Sequence, residues 1–343
     1  MVLEDREFLE HFGGKLALGK DWKVFHRHGR ALLLIRANRS SVKSARKLYS
    51  PQRFLAQLAS RLVFNFPLFW RLLPSFGWNL EPSSVLGTLI HRCGKEIDAI
   101  LLGNPTQEAR RLIVLTKGSA PMVLKIGMGE PATSLVRQEA NFISNEGEKA
   151  AEIPPLKFRS HGENWECFGI PYFEPGDATL KQICKILDRW WSGEIVSMKD
   201  LSSWSLLEES TNPYAPMLRE SCAELKLKPA RLHGDLAPWN IRFSEENHLM
   251  MIDWEAGQNC DVPCWDLVHF LYQQYMLVER LEPEEVCAKV LKLLAQQPAS
   301  SLLLKAGWAG QERLLFASYL IAMATEDIDN NQIQALLRVK KRE

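Results

Sequence analysis

Residues 231–253 read RLHGDLAPWNIRFSEENHLMMID, and the spacing inside this stretch decides the fold. Two short apolar runs, residues 240–243 and 249–252, flank Ser244-Glu245-Glu246-Asn247-His248, a polar segment of the kind that turns a chain back on itself. A turn centred there sets Phe243 opposite Met250 and Asn240 opposite Asp253. Directly opposed residues of an antiparallel pair lie about 4.5 to 5.5 Å apart at Cα, so an amide oxygen and a carboxylate converge at one end of the hairpin. Such oxygens suit a small hard cation such as magnesium, which takes them at about 2.0 to 2.1 Å. In His233-Gly234-Asp235 a second carboxylate stands five positions ahead of Asn240, within reach of a hydroxyl directed at a metal-bound phosphate. His, Asp and Asn are also common loop formers, and an Asx-rich turn beside an ordinary hairpin is the plain alternative.

The order of these residues resembles the catalytic loop of kinases, His-x-Asp with Asn five residues later and a metal-binding Asp further on. Its wording, HGDLAPWN and then IDWE in place of Asp-Phe-Gly, is similar to the aminoglycoside phosphotransferase and choline kinase superfamily. The resemblance implies Asp235 as catalytic base, with Asn240 and Asp253 holding magnesium on ATP. It also matches Asp266, in PCWDLVHF, to an aspartate that braces the catalytic loop through its backbone. Charge complementarity at a helix N-terminus, worth about 0.3 to 1 kcal/mol, is a second role open to Asp266. His233 reads as a buried histidine shaping the loop rather than as a proton carrier, and Trp239 and Trp254 as packing around it.

The fold implied is α+β and two-lobed, like a protein kinase: a small antiparallel N-lobe with one key helix, a larger mainly helical C-lobe, and an N-terminal extension. The boundaries drawn from the sequence are 1–80 for the extension, 81–176 for the N-lobe and hinge, and 177–343 for the C-lobe.

At 343 residues, 46% hydrophobic and 24% charged with net charge +1, the chain is long enough for two or three folding units and carries no overall charge that points to nucleic acid. The start has acidic residues and no continuous apolar core, unlike a secretory signal. Seven cysteines without paired zinc-like spacing fit free thiols in a reducing cytoplasm, and Cys260, Cys264 and His269 lack a fourth metal ligand.

Over residues 1–80 basic side chains far outnumber acidic ones. Apolar runs at 21–25 and 31–35 read as a hairpin, and residues 40–49 as a Ser-led basic helix. Residues 54–78 are aromatic and aliphatic, punctuated by Arg61 and Arg71. A bilayer span needs about 20 apolar residues, so this stretch does not cross a membrane. It reads as packing on its neighbour, with peripheral membrane contact as the alternative.

From Val85 the pattern reads as strands at 85–90, 96–102, 111–116 and 122–126. The loop from Gly103 and Asn104 to Gln107 is placed to bring backbone amides near phosphates. Lys125 stands alone in an apolar strand, and Glu139, fourteen residues on, shares the apolar face of a helix opened by Pro131. Each buried charge supplies the partner the other lacks, and in kinase-like proteins such a lysine tethers the nucleotide phosphates. Strands follow at 158–160 and 166–172. The run from Ile170 to Gly176 looks like the superfamily hinge, with Tyr172 and Glu174 as the adenine-side residues. Beyond it the chain reads as helical.

These readings converge on ATP- and magnesium-dependent transfer to a hydroxyl of a small molecule such as a sugar, an amino alcohol or an aminoglycoside-like compound. A nucleotide-binding pseudokinase or scaffold is the alternative from another class. A protein kinase is the third reading, disfavoured by the short interval from Asp253 to Trp265. The acceptor and the oligomeric state are not written in these motifs.

Overall fold

The computed structural model describes residues 3–27, 29–38, 41–42, 48, 72–103, 110–323, 333 and 336. The chain divides into two compact units, Met1–Pro175 with Arg242–Met250, and Gly176–Ile241 with Met251–Glu343.

The first unit is built on strands β1 (Leu16–Arg27), β2 (Arg30–Arg36), β3 (Ser75–Trp78), β4 (Ile97–Leu102), β5 (Leu112–Thr116), β6 (Met122–Met128), β7 (Phe158–His161) and β8 (Trp165–Pro171). Among the described residues they form one sheet in the order β3-β1-β2-β4-β5-β6-β8-β7, with each neighbouring pair antiparallel. The expected first hairpin is present, with Val24 opposite Leu34. The first eighty residues, read from sequence as an extension, place β1, β2 and β3 in this sheet, and Leu34 of β2 pairs with Ile100 of β4. Leu33, Leu34 and Ile35 are each fully buried, so β2 is covered on both faces and belongs inside a sheet.

Helix α1 (Leu3–Gly13) is tied to the same unit by a buried carboxylate. Asp5 Oδ2 accepts the Ala31 amide at 2.8 Å, while Asp5 Oδ1 receives Arg30 at 3.2 Å and Arg110 at 2.9 Å. Burial works to raise the Asp5 carboxyl, but the amide and the two guanidiniums outweigh it and hold the group below its usual range.

The strand expected at 85–90 is instead helix α2 (Val85–Cys93). Ser84 accepts the Gly87 amide at its N-terminus, and Gly94 in the left-handed region (φ 64°) ends it. The buried residues Val85, Leu86 and Leu89 follow a helical spacing that a short apolar run disguises as a strand. Helix α3 (Ala132–Glu146) is the helix expected after Pro131, and Gly127 lets it approach β6 closely. A Cβ at Gly127 would lie 2.3 Å from the Ala132 carbonyl oxygen. The unit is completed by β9 (Glu174–Pro175), whose Glu174 pairs with Phe243.

The second unit is mainly helical: α4 (Leu180–Leu187), α5 (Trp204–Glu209), α6 (Ala215–Cys222), α7 (Trp265–Gln273), α8 (Pro283–Leu294), α9 (Ala299–Ala306) and α10 (Glu312–Met323). Two small antiparallel pairs join β10 (Val196–Ser197) to β11 (Lys226–Leu227), and β12 (Ala230–Leu232) to β15 (Gln258–Asp261). Trp265 to Leu271 in α7 are all buried, so this helix runs through the interior of its unit. The α+β reading therefore holds. No helix among the described residues is long and apolar enough to cross a membrane.

The hairpin of the decisive stretch is β13 (Ile241–Phe243) and β14 (Leu249–Met251). Its register differs by one residue from the expected one. Ser244 N–H donates to His248 O at 2.9 Å, and Ile252 N–H donates to Asn240 O at 2.9 Å. Asn240 therefore stands across from Ile252 rather than Asp253, because Asn247 takes a left-handed turn conformation (φ 60°) that closes the loop one residue tighter. Asn104, residues 54–71 and most of residues 40–49 lie outside the described residues.

Candidate active site

In the second unit β12 delivers the chain into His233-Gly234-Asp235. Gly234 adopts φ 82°, and a Cβ there would lie 2.6 Å from Cβ of Ala256, so only glycine fits this bend. The two amides that the bend exposes to the interior are taken by Asp266 at the start of α7. Its Oδ2 accepts His233 N–H at 2.6 Å and its Oδ1 accepts Gly234 N–H at 3.0 Å. Burial pushes the Asp266 carboxyl up to about 6, against the pull of those two amides.

His233 is fully buried, and both ring nitrogens are engaged. Nδ1 accepts the Asp235 amide at 3.2 Å, which leaves Nε2–H to donate to Ile252 O at 3.0 Å. Burial lowers this imidazole to about 4, so near neutral pH it is uncharged. Its two ring contacts tie residue 233 to the backbone at 235 and 252. The Trp254 ring packs on it at 4.4 Å between centroids, and Trp254 Nε1 donates to Met251 O at 2.7 Å. Trp239 is half-buried.

A one-turn 3₁₀ helix, Pro238–Asn240, brings Asn240 back onto Asp235. Asn240 Nδ2 donates to the Asp235 carbonyl oxygen at 2.8 Å and to Asp235 Oδ2 at 3.0 Å. With its nitrogen so committed, the amide keeps Oδ1 as an oxygen donor for a cation. Asp253 carries φ 73°, a conformation uncommon outside glycine that Asp tolerates better than most residues. The structure thus brings His233, Asp235, Asn240 and Asp266 into one hydrogen-bonded network around the loop.

Two residues beside this network were not read from the sequence as neighbours of Asp235. His269 Nε2 lies 3.0 Å from Asp235 Oδ1, and His269 Nδ1 lies 3.0 Å from the hydroxyl of Tyr319. The spacing of Asp266 and His269, three apart on one helix, was the available signal, since such residues share a face. Tyr319 is distant in sequence and no local pattern marks it. Among the described residues Cys260, Cys264 and His269 do not converge as metal ligands.

In the first unit Lys125 sits on β6 between Ile113 and Phe168 of the neighbouring strands. Its Nζ meets Glu139 Oε2 of α3 at 2.5 Å, with side-chain exposures of 10% and 3%. This is the pairing expected from the sequence, and it places a cation on the sheet. Gly103 N–H donates to Arg111 O at 2.9 Å, so that amide closes the β4–β5 connection instead of facing a phosphate. Tyr172 N–H donates to Pro121 O at 3.0 Å, and the Tyr172 hydroxyl donates to Glu174 Oε2 at 3.0 Å. Both residues line a cavity of about 150 Å³ with Asp98, Thr116 and Glu245.

No protein-family model and no curated protein matches the chain. Among solved structures it is similar to the choline kinase LicA from Streptococcus pneumoniae, at 16% identity over 74% of this chain and 96% of that one, with a TM-score of 0.42. It is similar to an aminoglycoside-3'-phosphotransferase of type VIII at 13% identity, over 69% of this chain and 96% of that one, with a TM-score of 0.44. It is also similar to an aminoglycoside phosphotransferase from Streptomyces rimosus, at 12% identity over 69% of this chain and 97% of that one, with a TM-score of 0.46.

Proposed function

We propose that this chain is a phosphotransferase that moves the γ-phosphoryl group of ATP, with magnesium, to a hydroxyl of a small molecule. The observation that carries the reading is the Asp235–Asn240 pair: one carboxylate oxygen is held by an amide nitrogen, on a loop whose backbone is braced by a buried aspartate. A carboxylate held toward the acceptor is what hydroxyl attack on a phosphate asks for, because phosphoryl transfer depends on positioning and charge neutralisation.

In this reading Asp235 orients the acceptor hydroxyl and takes its proton late in the transition state. Asn240 through Oδ1 and Asp253 through its carboxylate are the magnesium ligands, and both are oxygen donors of the kind that ion requires. When bound, the ion neutralises charge on the transferring phosphate. Lys125, fixed by Glu139, is the tether for the nucleotide phosphates, and Tyr172 and Glu174 mark the adenine side. The acceptor is a sugar, an amino alcohol or an aminoglycoside-like compound.

The test is a phosphate-transfer screen with ATP and magnesium over those acceptor classes, with Asp235→Asn and Asp253→Asn as controls. Transfer that falls by about 10²-fold or more in Asp235→Asn, with folding retained, supports the reading. ATP binding without transfer to any acceptor favours a binding protein, and absence of ATP binding refutes the assignment.

A further inference from the structure

His269 is 8% exposed and its Nε2 completes no hydrogen bond, although a carboxylate oxygen of Asp235 lies 3.0 Å away. The nitrogen is close to Asp235 Oδ1 but its N–H line misses that oxygen. A buried N–H left this way is unfavourable, so its retention beside Asp235 calls for a reason.

The other side of the ring decides its protonation. Tyr319 is 1% exposed, lies edge-on to His269 at 5.8 Å between centroids, and meets Nδ1 through its hydroxyl. Burial pushes the Tyr319 phenol well above its usual range, so it keeps its hydrogen. A buried phenol must donate that hydrogen, and Nδ1 is the acceptor within reach. Nδ1 is then the lone-pair nitrogen and Nε2 carries the hydrogen. The imidazole is set, by a residue fifty positions away in sequence, as a donor turned toward Asp235.

The two oxygens of Asp235 consequently see different donors: Oδ2 faces Asn240 Nδ2 at 3.0 Å, and Oδ1 faces His269 Nε2 at 3.0 Å. Asp235 itself is 42% exposed, so without a second contact its carboxylate is free to rotate. We propose that His269, locked by Tyr319 in its Nε2–H form, is a positioning residue for Asp235. A small rotation of the half-exposed carboxylate brings Oδ1 onto the Nε2–H line, and that bond would fix the carboxylate plane so that the remaining lone pair is aimed at the acceptor. The proposal rests on the reading of Asp235 as the group that takes the acceptor's proton.

Two measurements test it on the full-length protein. The first is long-range ¹H–¹⁵N correlation of histidine-labelled protein, with His269 identified by the signal lost in His269→Gln. The Nε2–H tautomer is the expected result, with conversion to a mixture in Tyr319→Phe. An Nδ1–H tautomer in the wild type overturns the proposal. The second is phosphate release from magnesium-ATP with water as acceptor. Glutamine can place an amide N–H near the position of Nε2, whereas asparagine and alanine cannot. The expected pattern is a fall in kcat of about 10- to 100-fold in His269→Ala and His269→Asn, recovery in His269→Gln, and an unchanged KM for ATP. Equal rates for the alanine and glutamine variants, with Asp235→Asn inactive, overturn the positioning role alone. A wild type that releases no phosphate, or releases it as fast as Asp235→Asn does, overturns the phosphotransfer reading and the positioning role with it.

Discussion

Asp266 and His233 respond to acid in opposite senses, and replacing one should uncover the other. His233 is lowered from 6.5 to about 4 by burial, so its contribution is present above pH 6.5 and is lost as pH falls toward 4. Asp266 is raised from 3.8 to about 6 by burial, so its contribution is fully present below pH 3.8 and is lost as pH rises through 6. Between pH 7.5 and 4.5 proton linkage gives a loss of about 2 to 3 kcal/mol from His233 and a gain of about 2 kcal/mol from Asp266. The pair nearly cancels in the wild type. Asp266→Asn removes the gain, and the variant's second unit should therefore lose about 2 kcal/mol more than the wild type over this interval. The charges acting on His233 are Asp235, Asp253 and His269, so its own lowering survives the substitution. Urea unfolding at the two pH values, read by pulsed hydrogen exchange in peptides from α7, scores this unit by itself. Because the observable is a slope, a constant cost from the asparagine's poorer fit to two amides drops out. A difference in slope below about 0.5 kcal/mol would refute the reasoning.

Two further outcomes follow from the geometry. Lys125→Ala removes the ammonium that faces the buried Glu139 carboxylate and should cost about 3 to 5 kcal/mol in urea unfolding of the first unit, whereas Lys125→Met with Glu139→Leu should recover most of that stability and still give no thermal protection by ATP. Gly234→Ala places a side chain at φ 82° and against Ala256, and is expected to cost about 1 to 2 kcal/mol from the backbone alone, together with loss of turnover; unchanged activity would show that the bend tolerates a Cβ.

Much of the loop was legible in the sequence because its requirements are local. His233, Asp235 and Asn240 lie within one short stretch whose spacing resembles a known catalytic loop. Lys125 and Glu139 were readable for a related reason: a charge on an apolar strand and a charge on an apolar helix face each demand a partner. The α2 helix was misread because six residues of apolar sequence carry too little period to separate helix from strand, and the capping by Ser84 and Gly94 is what settles it. The hairpin register was missed by one, since it depends on the left-handed conformation of Asn247 rather than on the apolar runs that flank the turn.

The sequence by itself determined the acidic and amide residues of the loop and the Lys125–Glu139 pair, because motif spacing and the cost of burying a lone charge are properties of short segments, and it implied the α+β class through the resemblance that the loop carries. Only the tertiary structure decided that β1, β2 and β3 join the sheet, which two amides Asp266 accepts, and that Tyr319 and His269 stand beside Asp235. Those are contacts between residues far apart in the chain, and their selection depends on how helices and strands pack rather than on what any one segment prefers.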